Sequence, residues 1–188
     1  KEQEAVALDV LLQLQRLDPR NGLVQLELAE LWSSRNELEK AQQSLWIAFD
    51  SEDVLVEEKH DILVQYLQLA SHNPALLGPL VNLMDRAVEL HEEDGNILML
   101  ASDLAQMLGQ PALAKEHMEK AVVAIPHIPS AWTNLIALDA ELDEYEAMIQ
   151  HAQEAMDRFP LEAEFYLLAG IGSMVKGELE EAIGYFNG

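Results

Sequence analysis

The chain has 188 residues, 49% of them hydrophobic, with 11 basic and 34 acidic side chains and a formal net charge of −23. That balance excludes a nucleic-acid partner, whose phosphates need a basic footprint, and an anionic membrane surface. There is no cysteine, which excludes disulfides and thiolate chemistry, and the longest strongly apolar run, 165–175, is too short to span a bilayer.

The acidity is not held in a tail. Residues 1–94 carry 7 basic and 19 acidic side chains, and residues 95–188 carry 4 and 15. Taken in order, residues 3–17 read as a lone helix. Ala7, Leu11, Leu14 and Pro19 lie 34 residues before Ala41, Leu45, Ala48 and Asp53. Asp18-Pro19-Arg20-Asn21-Gly22 is a stop followed by a turn. A helix from Gly22 places Leu28, Ala29 and Trp32 on one face at period 3.6. Ser33-Ser34-Arg35-Asn36 makes a turn, and Leu38, Ala41, Leu45 and Ala48 line the next helix.

The following segment is longer. Ala41 to Leu80 is 39 residues, five more than 34. An insert before the first helix of that segment aligns Leu67, Gln68 and Ser71 with Leu28, Ala29 and Trp32. An insert after it aligns Ile62, Leu63 and Tyr66, a better chemical match. The second placement predicts a helix over 54–70 that outlasts its counterparts by about one turn. Pro74 behind Asn73 fits a capped helix start, and Pro79 predicts a kink or tight turn at 74–78, then helix to Leu90.

From Leu98 to Phe186 the chain repeats at 34 residues without a gap. Ala101, Leu135 and Ala169 share a column, as do Gly109, Asp143 and Gly177. Ala114, Met148 and Ala182 form a third, and Met118, Ala152 and Phe186 a fourth. Ala121 pairs with Ala155, and Pro126 with Pro160. A fixed period of this length marks a stacked-repeat architecture. Close approach of antiparallel helices requires small residues, here Ala114, Ala121, Ala155 and Ala182. Pro126 and Pro160 stop each second helix.

These columns resemble the tetratricopeptide repeat, a 34-residue helix–turn–helix unit. The carriers are Trp132, Leu135, Asp143, Met148, Ala152, Ala155 and Pro160 in the fourth repeat, and Tyr166, Ala169, Gly170, Gly177, Ala182 and Phe186 in the fifth. The resemblance implies an all-α solenoid, a right-handed superhelix of about 11 helices. Its parts would be a half repeat (1–20), repeats 21–53, 54–94, 95–128 and 129–162, and a partial repeat (163–188), forming one domain that is a fragment of something longer. Met148, Leu63 and Ile136 depart from the family's small residues.

No motif carries chemistry. Gly172 to Gly177 lacks the Gly-Lys-Ser/Thr ending of a phosphate loop, and Gly170 and Gly172 read as close-packing positions. Glu92-Glu93-Asp94-Gly95 lacks the ligand spacing of a calcium loop and reads as a solvated turn. The six histidines include no pair at four-residue spacing, so no zinc site is expected. Asp139, Glu141, Asp143, Glu144 and Glu146 read as carboxylates at a polar turn, with nothing apolar to raise a pKa. No cofactor and no enzymatic activity are expected.

The resemblance further implies that the first helix of each repeat, helix A, lines a concave groove. By family position the groove carries Leu26, Glu30, Ser33, His60, Val64, Met99, Asp103, Gln106, Thr133, Ala137, Leu167 and Ile171. Across the A helices the only basic residue expected is Lys59. The Lys, Arg and Asn clamp of the chaperone-binding members is absent. The implied function is a protein- or peptide-binding scaffold for an apolar-to-cationic segment, with self-association through the ends as a further contact. The alternative is an accessory module of a larger enzyme or signalling protein. Ala131-Trp132-Thr133-Asn134-Leu135 and Phe165-Tyr166-Leu167-Leu168-Ala169-Gly170 look like exported bacterial members, many of them lipoproteins. That likeness implies a periplasmic or lipid-anchored location, with the cytoplasm as the other reading.

Overall fold

The computed structural model describes residues 2–187, which form eleven α-helices, one 3-10 helix and no strand. The helices are α1 (Glu2–Leu17), α2 (Gly22–Ser34), α3 (Leu38–Asp50), α4 (Val56–Ala70), α5 (Leu77–Leu90) and α6 (Gly95–Met107). They continue as α7 (Pro111–Ala124), α8 (Pro129–Glu141), α9 (Tyr145–Arg158), α10 (Ala163–Lys176) and α11 (Leu179–Phe186). The chain divides into two compact units, residues 1–90 and 91–188.

Four of the five A helices end the same way. Asn36, Gly109, Asp143 and Gly177 each adopt the left-handed conformation, with φ of 61°, 69°, 59° and 83°. The next amide then reaches back to the carbonyl five residues earlier. Glu37 donates to Trp32, Gln110 to Ala105, Glu144 to Asp139 and Glu178 to Ser173, at 2.8–2.9 Å. This Schellman closure satisfies carbonyls that the helix end leaves open. Gly177 therefore caps a helix and is not part of a phosphate loop.

In the first unit α1, α2 and α3 meet around Leu28, Trp32 and Ala41, with Leu8, Leu11, Leu12 and Val24 against them. Asn21 caps α2, its side chain accepting the Val24 amide at 3.0 Å. A Cβ on Gly22 would lie 2.6 Å from Val54 Cγ2, so the start of α2 rests on the link before α4. α4 packs on α5, and α3 also packs on α5.

The A helices begin at Gly22, Val56, Gly95, Pro129 and Ala163, which are 34, 39, 34 and 34 residues apart. The five extra residues therefore follow the start of α4. They do not lengthen α4 by a full turn. α4 has 15 residues against 13 for α2, α6 and α8, and the other three form the 3-10 helix Pro74–Leu76. Repeat two has no left-handed closing residue. Asn73 instead accepts the Ala75 amide at 3.3 Å and opens the 3-10 turn. Pro79 does not break α5, because it is that helix's third residue, where the amide has no helical acceptor.

In the second unit each helix packs on the next from α6 to α11. The core is built from small residues under large ones. Ala114, Ala121, Ala152 and Ala155 are fully or almost fully buried, as are Leu135, Ile136, Met148 and Phe165. Ile136 and Met148 thus enter columns that hold smaller residues elsewhere. A Cβ on Gly172 would lie 2.8 Å from Ile149, and one on Gly170 would overlap the Phe186 ring.

One side-chain contact recurs at the entry to helix A. Gln25 Nε2 donates to the Pro19 carbonyl at 2.7 Å, Trp132 Nε1 to Pro126 at 3.1 Å and Tyr166 Oη to Pro160 at 3.3 Å. Each donor lies six residues beyond its proline. It ties the first turn of helix A to the place where the preceding helix stops.

A buried ionic group joins α7, α8 and α9. Asp139 is 0% exposed and takes Lys115 Nζ at 2.6 Å and His151 Nδ1 at 2.6 Å. Lys115 also pairs with Glu144. Burial disfavours the Lys115 charge, but the two carboxylates outweigh it and hold its pKa above the ordinary lysine value. The expectation that Asp139 sits at a polar turn is therefore wrong. Its column holds Ala105 in repeat three and Ser173 in repeat five, a position that faces the core.

Two predictions follow from this packing. Ala121→Leu overfills a fully buried site and should cost about 1–3 kcal/mol, read as a lower melting midpoint; an unchanged midpoint would show that the site has spare room. Lys115→Met should cost about 3–5 kcal/mol in urea unfolding, because it strands a buried carboxylate, and Lys115→Met with Asp139→Leu should recover most of that. No recovery in the double variant would mean that the residues act by shape and not by charge.

Candidate functional site

The residues assigned to the groove all keep solvent contact. In the first unit Glu30 and Ser33 are exposed on α2 and Leu26 is half-buried, as are His60 and Val64 on α4. On α4, burial is the main cause of the raised pKa of the Tyr66 hydroxyl, and Ser33 of α2 acts in the opposite direction. In the second unit Asp103, Gln106, Ala137 and Leu167 are exposed, and Met99, Thr133 and Ile171 are half-buried. Thr133 Oγ1 donates to Glu164 Oε2 at 3.3 Å, linking α8 to α10.

The residues flanking these positions point into the core. Leu28, Leu63, Leu98, Leu135 and Ala169 are at most 1% exposed. Helical periodicity therefore leaves the twelve positions on the opposite side of the A helices. They form two separate sets, one on α2 and α4, the other on α6, α8 and α10.

The charge on these faces is one-signed. Helix α10 extends to Lys176, so the A helices carry two basic residues and not one. Lys59 is withdrawn from solvent, and Lys176, exposed at the last position of α10, is paired with carboxylates. Lys59 is 3% exposed, and desolvation lowers its pKa against the opposing pull of Asp50. Lys176 is held by Glu146 at 3.1 Å and Glu178 at 2.8 Å. Asp103 keeps solvent contact, yet desolvation raises its carboxyl above the usual aspartate value.

No catalytic arrangement stands out. Asp94, from the acidic run 92–94, is the α6 cap, its Oδ1 accepting the Asn96 and Ile97 amides at 2.9 and 3.0 Å. Among the described residues no three His, Cys, Asp or Glu side chains converge as a metal site, and no helix is long and apolar enough to cross a membrane. The group around Asp139 escaped notice because five acidic residues within 139–146 mask it as a surface run. The 34-residue column, with buried Ala105 and Ser173 on either side, is the signal that finds it.

Asp103 gives a pH test with a definite sign. Its folded pKa is raised, so the charged form costs stability above that pKa and the cost is relieved as pH falls through it. The Asp103 carboxyl carbon should titrate by NMR with a midpoint above the ordinary aspartate value. Asp103→Asn should raise the melting midpoint at pH 7 and not at strongly acidic pH. A midpoint at or below the ordinary value would show that Asp103 is not desolvated.

No family model matches the chain, and no curated protein matches it by sequence. Its fold matches solved structures. MamA is 14% identical over 88% of this chain and 88% of that chain, with a TM-score of 0.63. YrrB, described as a TPR protein with an unusual peptide-binding site, is 17% identical over 93% and 88%, with a TM-score of 0.62. PilW, a widely conserved type IV pilus biogenesis factor, is 18% identical over 98% and 83%, with a TM-score of 0.55. At such identities the likeness is one of fold.

Proposed function

We propose that this chain, which has the tetratricopeptide-repeat fold of those structures, is a non-catalytic scaffold that holds a protein or peptide on its A-helix faces. The observation that carries the reading is the scarcity of basic groups on the described A helices, where Lys59 is buried and Lys176, at the end of α10, is paired with Glu146 and Glu178. The faces offer Glu30 and Asp103 beside half-buried Leu26, Val64, Met99 and Ile171 and exposed Leu167. An anionic ligand would meet only repulsion and desolvation there. A segment with apolar side chains and Lys or Arg finds both contact and charge complementarity. The peptide-binding site of YrrB, on the same fold, supports binding as the use of such a surface.

The test is a displayed peptide library against the whole chain. Peptides rich in Leu, Lys and Arg should be enriched, with affinity falling as salt rises. Glu30→Lys, or Asp103→Lys, should weaken the selected peptides about tenfold, near 1.4 kcal/mol. If both variants bind as the parent does, the A-helix faces are not the site and the B-helix surfaces take their place.

A further inference from the structure

In repeat four the chain covers the start of its own helix A. Trp132 is 3% exposed and bonded to the Pro126 carbonyl at 3.1 Å. The Arg158 guanidinium, from the end of α9, lies 4.8 Å over the indole centroid. Thirty-four residues earlier, repeat three has Leu98 for Trp132, Ala124 for Arg158 and Glu92 for Pro126. The volume those side chains would fill is empty. It is an open cavity of about 600 Å³ between the start of α6 and the end of α7.

The floor of this cavity is apolar, formed by Leu98, Ala124 and Val123, and Val123 is 80% exposed. The rim carries Glu92, Glu93, Glu116 and Glu119 against one cation, Lys120. Lys120 is engaged by Glu116 at 2.8 Å, and that bond is the main cause of the lowered Glu116 pKa. Glu92 and Glu93 therefore face the opening together with Glu119, which lies 3.8 Å from Lys115 Nζ. Met99, Asp103 and Gln106 do not line it, so the cavity is distinct from the A-helix face of the same repeat.

We propose that this cavity is an anchor for an arginine side chain of a protein partner. The methylenes lie on exposed Val123 and Ala124, with Leu98, 1% exposed, beneath them, and the guanidinium lies among Glu92, Glu93 and Glu119. The sign of the rim selects a cation. The apolar floor beneath it selects a cation with a long hydrocarbon stem. Arginine is favoured over lysine because its planar group is less strongly hydrated and meets carboxylates with paired hydrogen bonds. Repeat four supplies the precedent within this chain, where an arginine closes the equivalent place over Trp132. The site rests on the scaffold reading only in requiring a protein partner, not on use of the A-helix faces.

The experiment uses methyl NMR of the whole chain with an acetylated pentapeptide that has a central arginine flanked by leucines. The control has citrulline in place of arginine, which keeps the shape and removes the charge. Saturable shifts are expected at Leu98 and Val123 with arginine, and binding about tenfold weaker with citrulline or in Glu93→Gln/Glu119→Gln. Leu98→Trp with Ala124→Arg rebuilds the repeat-four closure and should abolish the peptide-induced shift at Val123. Val123→Ala on the exposed floor serves if that pair fails to fold, and should weaken binding of the arginine peptide read at Leu98; unchanged binding would overturn the proposal. Equal binding of the citrulline peptide would overturn the proposal, and so would a peptide response confined to Met99 and Leu167. The second result would leave the A-helix reading standing, and no response at any methyl would sink both.

Discussion

Each regular repeat turns on a single residue with positive φ. Asn36, Gly109, Asp143 and Gly177 reverse the chain at one place in the period, and the amide after each returns to a carbonyl five residues back. That geometry fixes how far helix B stands from helix A and at which angle it leaves. With the angle fixed, Ala114 and Ala182 meet their partner helix at close range. None of these helices is long enough to hold alone in water. Packing of its apolar stripe on its neighbours is what makes each one stable.

The period, the helix count and the place of the five extra residues were legible because they are properties of spacing. Spacing survives substitution, and columns such as Ala121 with Ala155 hold whatever surrounds them. The internal shape of the insert was not legible. Two residues went to α4 and three to a 3-10 turn, because Asn73 before Pro74 offers a local capping bond that a longer α4 would give up. The burial of Asp139 was hidden for a different reason. Composition averages over neighbours, and the acidic run around it concealed one side chain turned inward. Lys176 lay one residue from where a turn was expected, which is within the usual uncertainty of a helix end. The twelve positions on the A helices came from the family resemblance; what binds them does not follow from it at all.

The electrostatics divide into two kinds. Most of the 34 acidic side chains are in water, where pairs such as Lys120 with Glu116 contribute little. The exceptions sit where packing reduces access to water. Lys59 and Asp103 both titrate against their ordinary values because of desolvation, one downward and one upward. Around Asp139 the charges are buried but matched.

That matched group bears on how a chain of near-copies finds its own order. Five similar helical pairs can dock in the wrong succession, the characteristic misassembly of repeat proteins. The position of Lys115 is held in the other B helices by Gln42, Val81, Ile149 and Ile183, none of them a cation. If α8 docked against any of those helices, Asp139 would be enclosed without its lysine, an error that costs several kcal/mol. The apolar columns are interchangeable from one repeat to the next and carry no address. This one ion pair tells α8 from its lookalikes and α7 from its own.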